Sequence, residues 1–165
     1  MSRILLLILS RHCPLSRGTS LLTIHNAQLT AIREHGEQDY PYECCGLLLG
    51  KFGSDGAKSV VETFPISNAR EESAKRNRFL ITPEELLRGE SYARSKQLDV
   101  VGFYHSHPES PAVPSQYDLE HAWPTYSYII VSVMSEKAVD LFSWEQQPDR
   151  SKFDREEIKT VSDTL

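Results

Sequence analysis

Asp99-Val100-Val101-Gly102-Phe103-Tyr104-His105-Ser106-His107-Pro108, followed by Ser115-Gln116-Tyr117-Asp118, is the stretch on which the reading of this chain turns. Its first half is apolar and aromatic, the composition of a β-strand. Side chains alternate along a strand, so Val101, Phe103, His105 and His107 are expected on one face. The two histidines then lie roughly 7 Å apart at Cα, close enough for both imidazoles to lean onto one ion. Pro108 ends regular pairing, and Pro111 and Pro114 stiffen the loop beyond. Ser115 reads as a helix N-cap with Asp118 in the first turn, the spacing of a capping box with Asp in the Glu position. The strand–loop–helix path can carry the Asp118 carboxylate back to the histidine pair.

Two nitrogens and one carboxylate oxygen suit a catalytic zinc, because three protein ligands leave a fourth tetrahedral position open. No cysteine stands near the motif to close a structural site. Taken singly, each half has a plainer reading: an H-x-H pair is often two satisfied or surface histidines, and S-x-x-D is often only a cap. Their combination on one path carries the argument.

The string H-S-H-P-x6-S-x2-D resembles the motif of the JAMM (MPN-plus) metalloproteases at His105, His107, Pro108, Ser115 and Asp118. An upstream stretch, Glu43-Cys44-Cys45-Gly46-Leu47-Leu48-Leu49-Gly50, is similar to the family's glutamate at the head of an apolar Gly-rich strand. The resemblance spans about 21–144 and implies that His105, His107 and Asp118 bind one zinc. It implies that Glu43 is the general base and that Ser115 helps stabilise the oxyanion. It also implies a curved mixed sheet flanked by helices, akin to cytidine deaminases. The activity implied is hydrolysis of the amide bond after the Gly-Gly end of a ubiquitin-like protein. The chain is compact and is most similar to the small prokaryotic members, whose substrates are ubiquitin-like sulfur carriers and their adducts. Two other readings stay open: a metal-free MPN interaction scaffold, and a DNA-repair-associated relative. Nucleoside deamination has little support, because the P-C-x-x-C half of that signature is absent.

Composition bounds the rest. A chain of 165 residues with 39% hydrophobic and 25% charged residues is an ordinary globular composition with room for one core. The net charge of −5 offers no basic footprint for nucleic acid. Three cysteines, two of them adjacent, make no disulfide framework and suit a reducing cytoplasm. The run Ile4-Leu5-Leu6-Leu7-Ile8-Leu9 is too short to span a membrane, and Arg11, His12 and Pro14 follow it instead of a small-residue cleavage site. Residues 1–19 are therefore expected to be a leader or disordered tail, 20–150 the metalloprotease domain, and 151–165 a tail.

In order, the pattern predicts a strand over Leu21–Ile24 and a helix from an Asn26 cap to about Gln38. It then predicts strands over Cys44–Leu49 and Lys58–Ile66 around the turn Phe52–Gly56, and a short strand over Arg78–Ile81. Thr82-Pro83-Glu84-Glu85 opens a helix that runs to about Lys96. Strands are predicted over Tyr126–Val133 and Val139–Trp144, and a frayed helix over Asp154–Lys159. The charged segment from Asn68 to Ile81 is the expected docking edge for substrate, with Arg78–Ile81 as its strand. His121, one turn from Asp118, is a weaker ligand candidate. The element order gives the α/β class: a single mixed sheet with helices packed on it.

Overall fold

The computed structural model describes residues 20–162; the leader expectation for 1–19 lies outside them. Seven strands, β1 (Leu21–His25), β2 (Cys45–Phe52), β3 (Lys58–Ile66), β4 (Asp99–Pro108), β5 (Ser127–Met134), β6 (Lys137–Gln146) and β7 (Phe153–Val161), are interspersed with three helices: α1 (Asn26–Asp39), α2 (Pro83–Ser95) and α3 (Gln116–His121). The sheet order is β1-β3-β2-β4-β5-β6-β7, and β7 returns to pair with β1. The sheet is mixed: β1 runs parallel to β3 and β7, β4 runs parallel to β5, and the other pairs are antiparallel.

The expected α/β class and mixed sheet are present, but the sheet closes into a barrel. Closure comes from Asp154–Lys159, which lies in β7 and not in a terminal helix. Within Phe153–Val161 the covered side chains are Phe153, Glu156, Ile158 and Val161, an uneven spacing, and pairing on both edges decides for strand. The short strand expected over Arg78–Ile81 is also absent. That segment has no regular structure and makes no ladder; Ala69 N–H donates to the Leu80 carbonyl, and Leu80 N–H donates to the Asn68 side chain.

The core has two layers. Inside the curve, Ile32 of α1 packs with Leu22, Ile24, Leu48, Tyr104, Ile129 and Val131. Outside, α2 places Ala93 against Cys45, Leu47, Leu49 and Ile66. Gly89 permits that approach: a Cβ there would sit 2.2 Å from Leu47 Cδ1. Strand β2 is thus apolar on both faces because both are covered. Helix α2 starts where its sequence says, with Thr82 Oγ1 accepting from Glu85 N–H and Pro83 in the first turn. Helix α1 does not: His25 occupies the N-cap but its side chain does not cap the helix, and Asn26 is already helical.

Strand β4 departs from simple alternation in a way that matters for the site. Its register with β2 shifts between Leu48 and Leu49, which pair with Gly102 and Val100, leaving Val101 as the extra residue of a β-bulge. Val101 therefore faces the inner core, while Val100 and Phe103 join the outer cluster. The expectation that Val101 shares a face with the histidines is corrected by this bulge. Beyond it alternation resumes, and Tyr104 faces inward.

Candidate metal centre and its surroundings

His105 and His107 stand near the end of β4, and the chain crosses through α3 before returning as the parallel strand β5. The loop and α3 bring Asp118 back over the strand. His105 Nε2 lies 3.0 Å from His107 Nε2, 3.4 Å from Asp118 Oδ1, and His107 Nε2 lies 3.5 Å from Asp118 Oδ2. His105, His107 and Asp118 form the one convergent set of metal-ligating side chains found among the described residues.

The geometry tests whether a zinc ion fits. Ligand bonds of about 2.0–2.1 Å at tetrahedral angles put neighbouring donor atoms about 3.3 Å apart. The three separations bracket that value. Two of them are too long for charge-assisted hydrogen bonds, which run at about 2.7–2.9 Å. The tautomer agrees: His107 Nδ1 lies 2.8 Å from the Pro111 carbonyl, which can only accept. Its proton is on Nδ1, and the Nε2 lone pair is left facing His105 and Asp118. His105 Nδ1 is buried without a partner, and Phe79 stacks on the ring at 4.7 Å. Burial pushes the His105 imidazole towards its neutral, ligating form. Burial alone would raise Asp118, but the two imidazoles at 3.4 and 3.5 Å and the hydrogen bond from the Ser115 hydroxyl hold its carboxyl far below the usual range.

Ser115 caps α3 as the spacing predicts. Its side chain accepts from Asp118 N–H at 3.2 Å, and its own N–H donates to Asp118 Oδ2 at 2.7 Å. The Ser115 hydroxyl also donates to that oxygen at 2.6 Å. The capping box therefore aims the carboxylate as well as starting the helix. His121 is not among the converging ligands; its Nδ1 donates to the Tyr117 carbonyl and its ring stacks on Tyr117 at 3.9 Å.

Glu43 lies just before β2 and is only 5% exposed. Among the described residues, nothing hydrogen-bonds or ion-pairs with its carboxylate. Burial pushes that carboxyl up to about 8, with nearby Asp118 adding to the rise and His107 and Arg78 opposing it. It lines a cavity of about 430 Å³ with His107, Ser115, Arg76 and Arg78.

What holds Glu43 there was not legible in the motif. Ser106, between the two histidines, faces inward and accepts from Cys44 N–H at 2.8 Å, while its own N–H donates to the Cys44 carbonyl at 3.2 Å. Glu43 N–H donates to the Lys75 carbonyl at 2.8 Å. Asn68 Nδ2 donates to the carbonyls of Glu43 and Arg78 at 2.9 and 3.0 Å, and Asn68 Oδ1 accepts from Arg70 and Leu80 N–H groups. The 68–80 loop is thereby pinned to Glu43. Its far side is latched to α3, where Arg70 donates to the Tyr117 hydroxyl and Arg78 lies 4.4 Å above the Tyr117 ring. A lone Asn in a charged stretch carries no sequence signal for such a role beyond its turn preference.

With this arrangement in place, comparison with known proteins is decisive at the level of class. The family of prokaryotic homologs of the JAB domain matches residues 25–147, and the chain belongs to it. A desampylase of Haloferax volcanii is 42% identical over 105 residues, covering 63% of this chain and 72% of the relative. A CysO-cysteine peptidase of Mycobacterium tuberculosis is 33% identical over 132 residues, covering 79% of this chain and 86% of the relative. A solution structure of a Salinibacter ruber protein superposes with a TM-score of 0.68 at 40% identity, covering 84% of this chain and 91% of that one. No helix among the described residues is long and apolar enough to cross a membrane.

Proposed function

We propose that this protein is a zinc-dependent peptidase that hydrolyses the amide bond after the Gly-Gly end of a ubiquitin-like or sulfur-carrier protein adduct. One observation carries the reading: donor atoms of His105, His107 and Asp118 stand at tetrahedral-edge separations beside a buried carboxyl, Glu43, that has no hydrogen-bond or ion-pair partner among the described residues. The substrate class follows the family resemblance and agrees with relatives named as a desampylase and a CysO-cysteine peptidase.

His105, His107 and Asp118 would hold the zinc, which when bound polarises the scissile carbonyl and lowers the pKa of water towards about 7. Glu43 takes a proton from the attacking water and passes it to the leaving amine, so water is consumed, the C–N bond breaks, and a carboxylic acid and an amine are released. A carboxyl poised near neutrality by burial suits both halves of that task. Ser115 lines the same cavity, and its hydroxyl turns from Asp118 to the carbonyl oxygen as charge develops there. Phe79, stacked on His105, helps keep bulk water from the imidazole.

Mass spectrometry of a carrier–adduct incubated with the zinc-loaded protein tests this. The expected products are the carrier ending in Gly-Gly and the free amine. An intact adduct under conditions where the protein is folded and metal-bound would reject the reading.

A further inference from the structure

Helix α3 carries Asp118, yet none of its residues is buried. The 68–80 loop also has no buried residue, and it forms neither helix nor strand. Packing into the core therefore fixes neither element, and their polar and ring contacts must do so. Both deliver groups to the site. Helix α3 brings Asp118; the loop brings Phe79, stacked on His105, and Arg78, which lines the cavity with Glu43 and Ser115.

The loop is tied on two sides by different means. Towards β2, backbone groups do the work: Asn68 Nδ2 donates to the Glu43 carbonyl, and Glu43 N–H donates to the Lys75 carbonyl. Towards α3, every hydrogen bond and cation–π contact among the described residues runs through Tyr117. Arg70 donates to its hydroxyl, and the Arg70 and Arg78 guanidinium groups lie 5.7 and 4.4 Å from the centre of its ring. The His121 imidazole stacks on the same ring at 3.9 Å and stiffens it within α3. A phenol offers both an acceptor oxygen and a π face, so one side chain can hold two guanidinium groups. An aliphatic side chain offers neither. Tyr117 also directly precedes Asp118, so a shift of its ring is passed to the carboxylate through one peptide unit.

We propose that Tyr117 is a positioning residue that clamps the 68–80 loop to α3, and that this clamp sets where the Asp118 carboxylate, the Arg78 guanidinium and the Phe79 ring stand around the metal centre. Ser115 aims the same carboxylate from within the helix cap, whereas Tyr117 steadies it from outside, through the loop. The clamp needs no metal; its consequence for turnover rests on the hydrolytic reading above.

The loop contains its own probe, because Arg70, Lys75, Arg76 and Arg78 are trypsin sites. In chelator-treated full-length protein, Tyr117→Ala should speed cleavage at these sites by at least about tenfold, while Tyr117→Phe, which keeps the ring, should stay within about threefold of the unaltered protein. With cobalt(II) in place of zinc, visible absorption reports ligand geometry; Tyr117→Ala should change the spectrum and Tyr117→Phe should preserve it. Hydrolysis of acetyl-Leu-Gly-Gly-Ala by the zinc-loaded protein should fall by at least about tenfold in Tyr117→Ala, mostly through kcat. Arg70→Gln breaks the same link from the loop side and serves if Tyr117→Ala fails to fold. Its effect on loop cleavage should be non-additive with that of Tyr117→Phe. Unchanged loop cleavage and an unchanged cobalt spectrum in Tyr117→Ala would overturn the clamp. So would cleavage that rises equally at sites throughout the chain, which would mark a general loss of stability. Faster loop cleavage and an altered spectrum in Tyr117→Ala, with no hydrolysis of the peptide by the unaltered protein, would reject the peptidase reading and leave the clamp intact.

Discussion

Two buried carboxyl groups, Glu43 and Glu156, stand in this fold in opposite circumstances. Glu156, on β7, is 2% exposed and fully partnered. Lys58 Nζ donates to its Oε1 at 3.0 Å and Ser143 Oγ donates to its Oε2 at 2.6 Å, with Ser20 Oγ 2.8 Å from Oε1. Lys58 also donates to Glu145 at 2.5 Å, so one ammonium ties β3, β6 and β7 together where the barrel closes. Glu43 is nearly as buried, yet among the described residues nothing hydrogen-bonds or ion-pairs with its carboxylate. Leaving a buried polar group unpaired costs about 1–3 kcal/mol, more if it is charged. A fold that satisfies one buried carboxylate completely and leaves the other free marks the second as a working group. The difference separates architecture from chemistry.

Substitutions at the two glutamates should sharpen that contrast. Removing Glu156 leaves Lys58 buried beside one remaining carboxylate, Glu145. Glu156→Ala should lower unfolding free energy by about 3–5 kcal/mol in denaturant titrations, while the folded fraction keeps its zinc and its kcat. Glu43→Gln should do the reverse. Turnover should fall by roughly 100-fold or more with zinc retained, and stability should hold or rise. Near-normal turnover in Glu43→Gln would make both glutamates structural and erase the contrast.

A third expectation concerns pH. The Glu43 carboxyl is raised from an ordinary 4.5 to about 8 by burial. Its contribution to stability is therefore fully present below the unfolded value and is lost as pH rises through about 8. In chelator-treated protein, unfolding free energy should fall across pH 5 to 8 relative to Glu43→Gln, and the difference should level off above that window. Parallel pH profiles for the two proteins would place Glu43 in water. The smallest effect is expected at Asn68. Asn68→Ala frees the 68–80 loop from the Glu43 carbonyl and should reduce kcat by up to roughly tenfold without loss of zinc. A stability loss with unchanged kcat would limit Asn68 to holding the loop.

Much of this was legible in the sequence because the informative features are local. Thr82-Pro83-Glu84-Glu85 starts α2, the Lys58–Ile66 run is β3, and the S-x-x-D spacing produces the capping box. The meeting of His105, His107 and Asp118 followed from a strand, a Pro-stiffened loop and a cap, all within one short stretch. Non-local pairing was not legible. Asp154–Lys159 is a strand only because β1 and β6 offer edges, and no pattern within it announces that closure. The bulge at Val101 depends on the register of β2, so period-two alternation failed for one residue and then recovered. Arg78–Ile81 has strand composition but pairs with no strand among the described residues, and Asn68 accepts the Leu80 N–H bond that a neighbouring strand would have taken. The Asn68 clasp and the Cys44–Ser106 pair join segments far apart in sequence, and only the assembled fold reveals them.

The central claim is that the His105, His107 and Asp118 donors exist to hold a zinc ion. Metal analysis of the purified protein, paired with circular dichroism, tests it most directly. About one zinc per chain is expected, with loss of the metal but not of the fold in Asp118→Ala and in His105→Ala/His107→Ala. Full zinc occupancy in the double histidine variant would contradict the account.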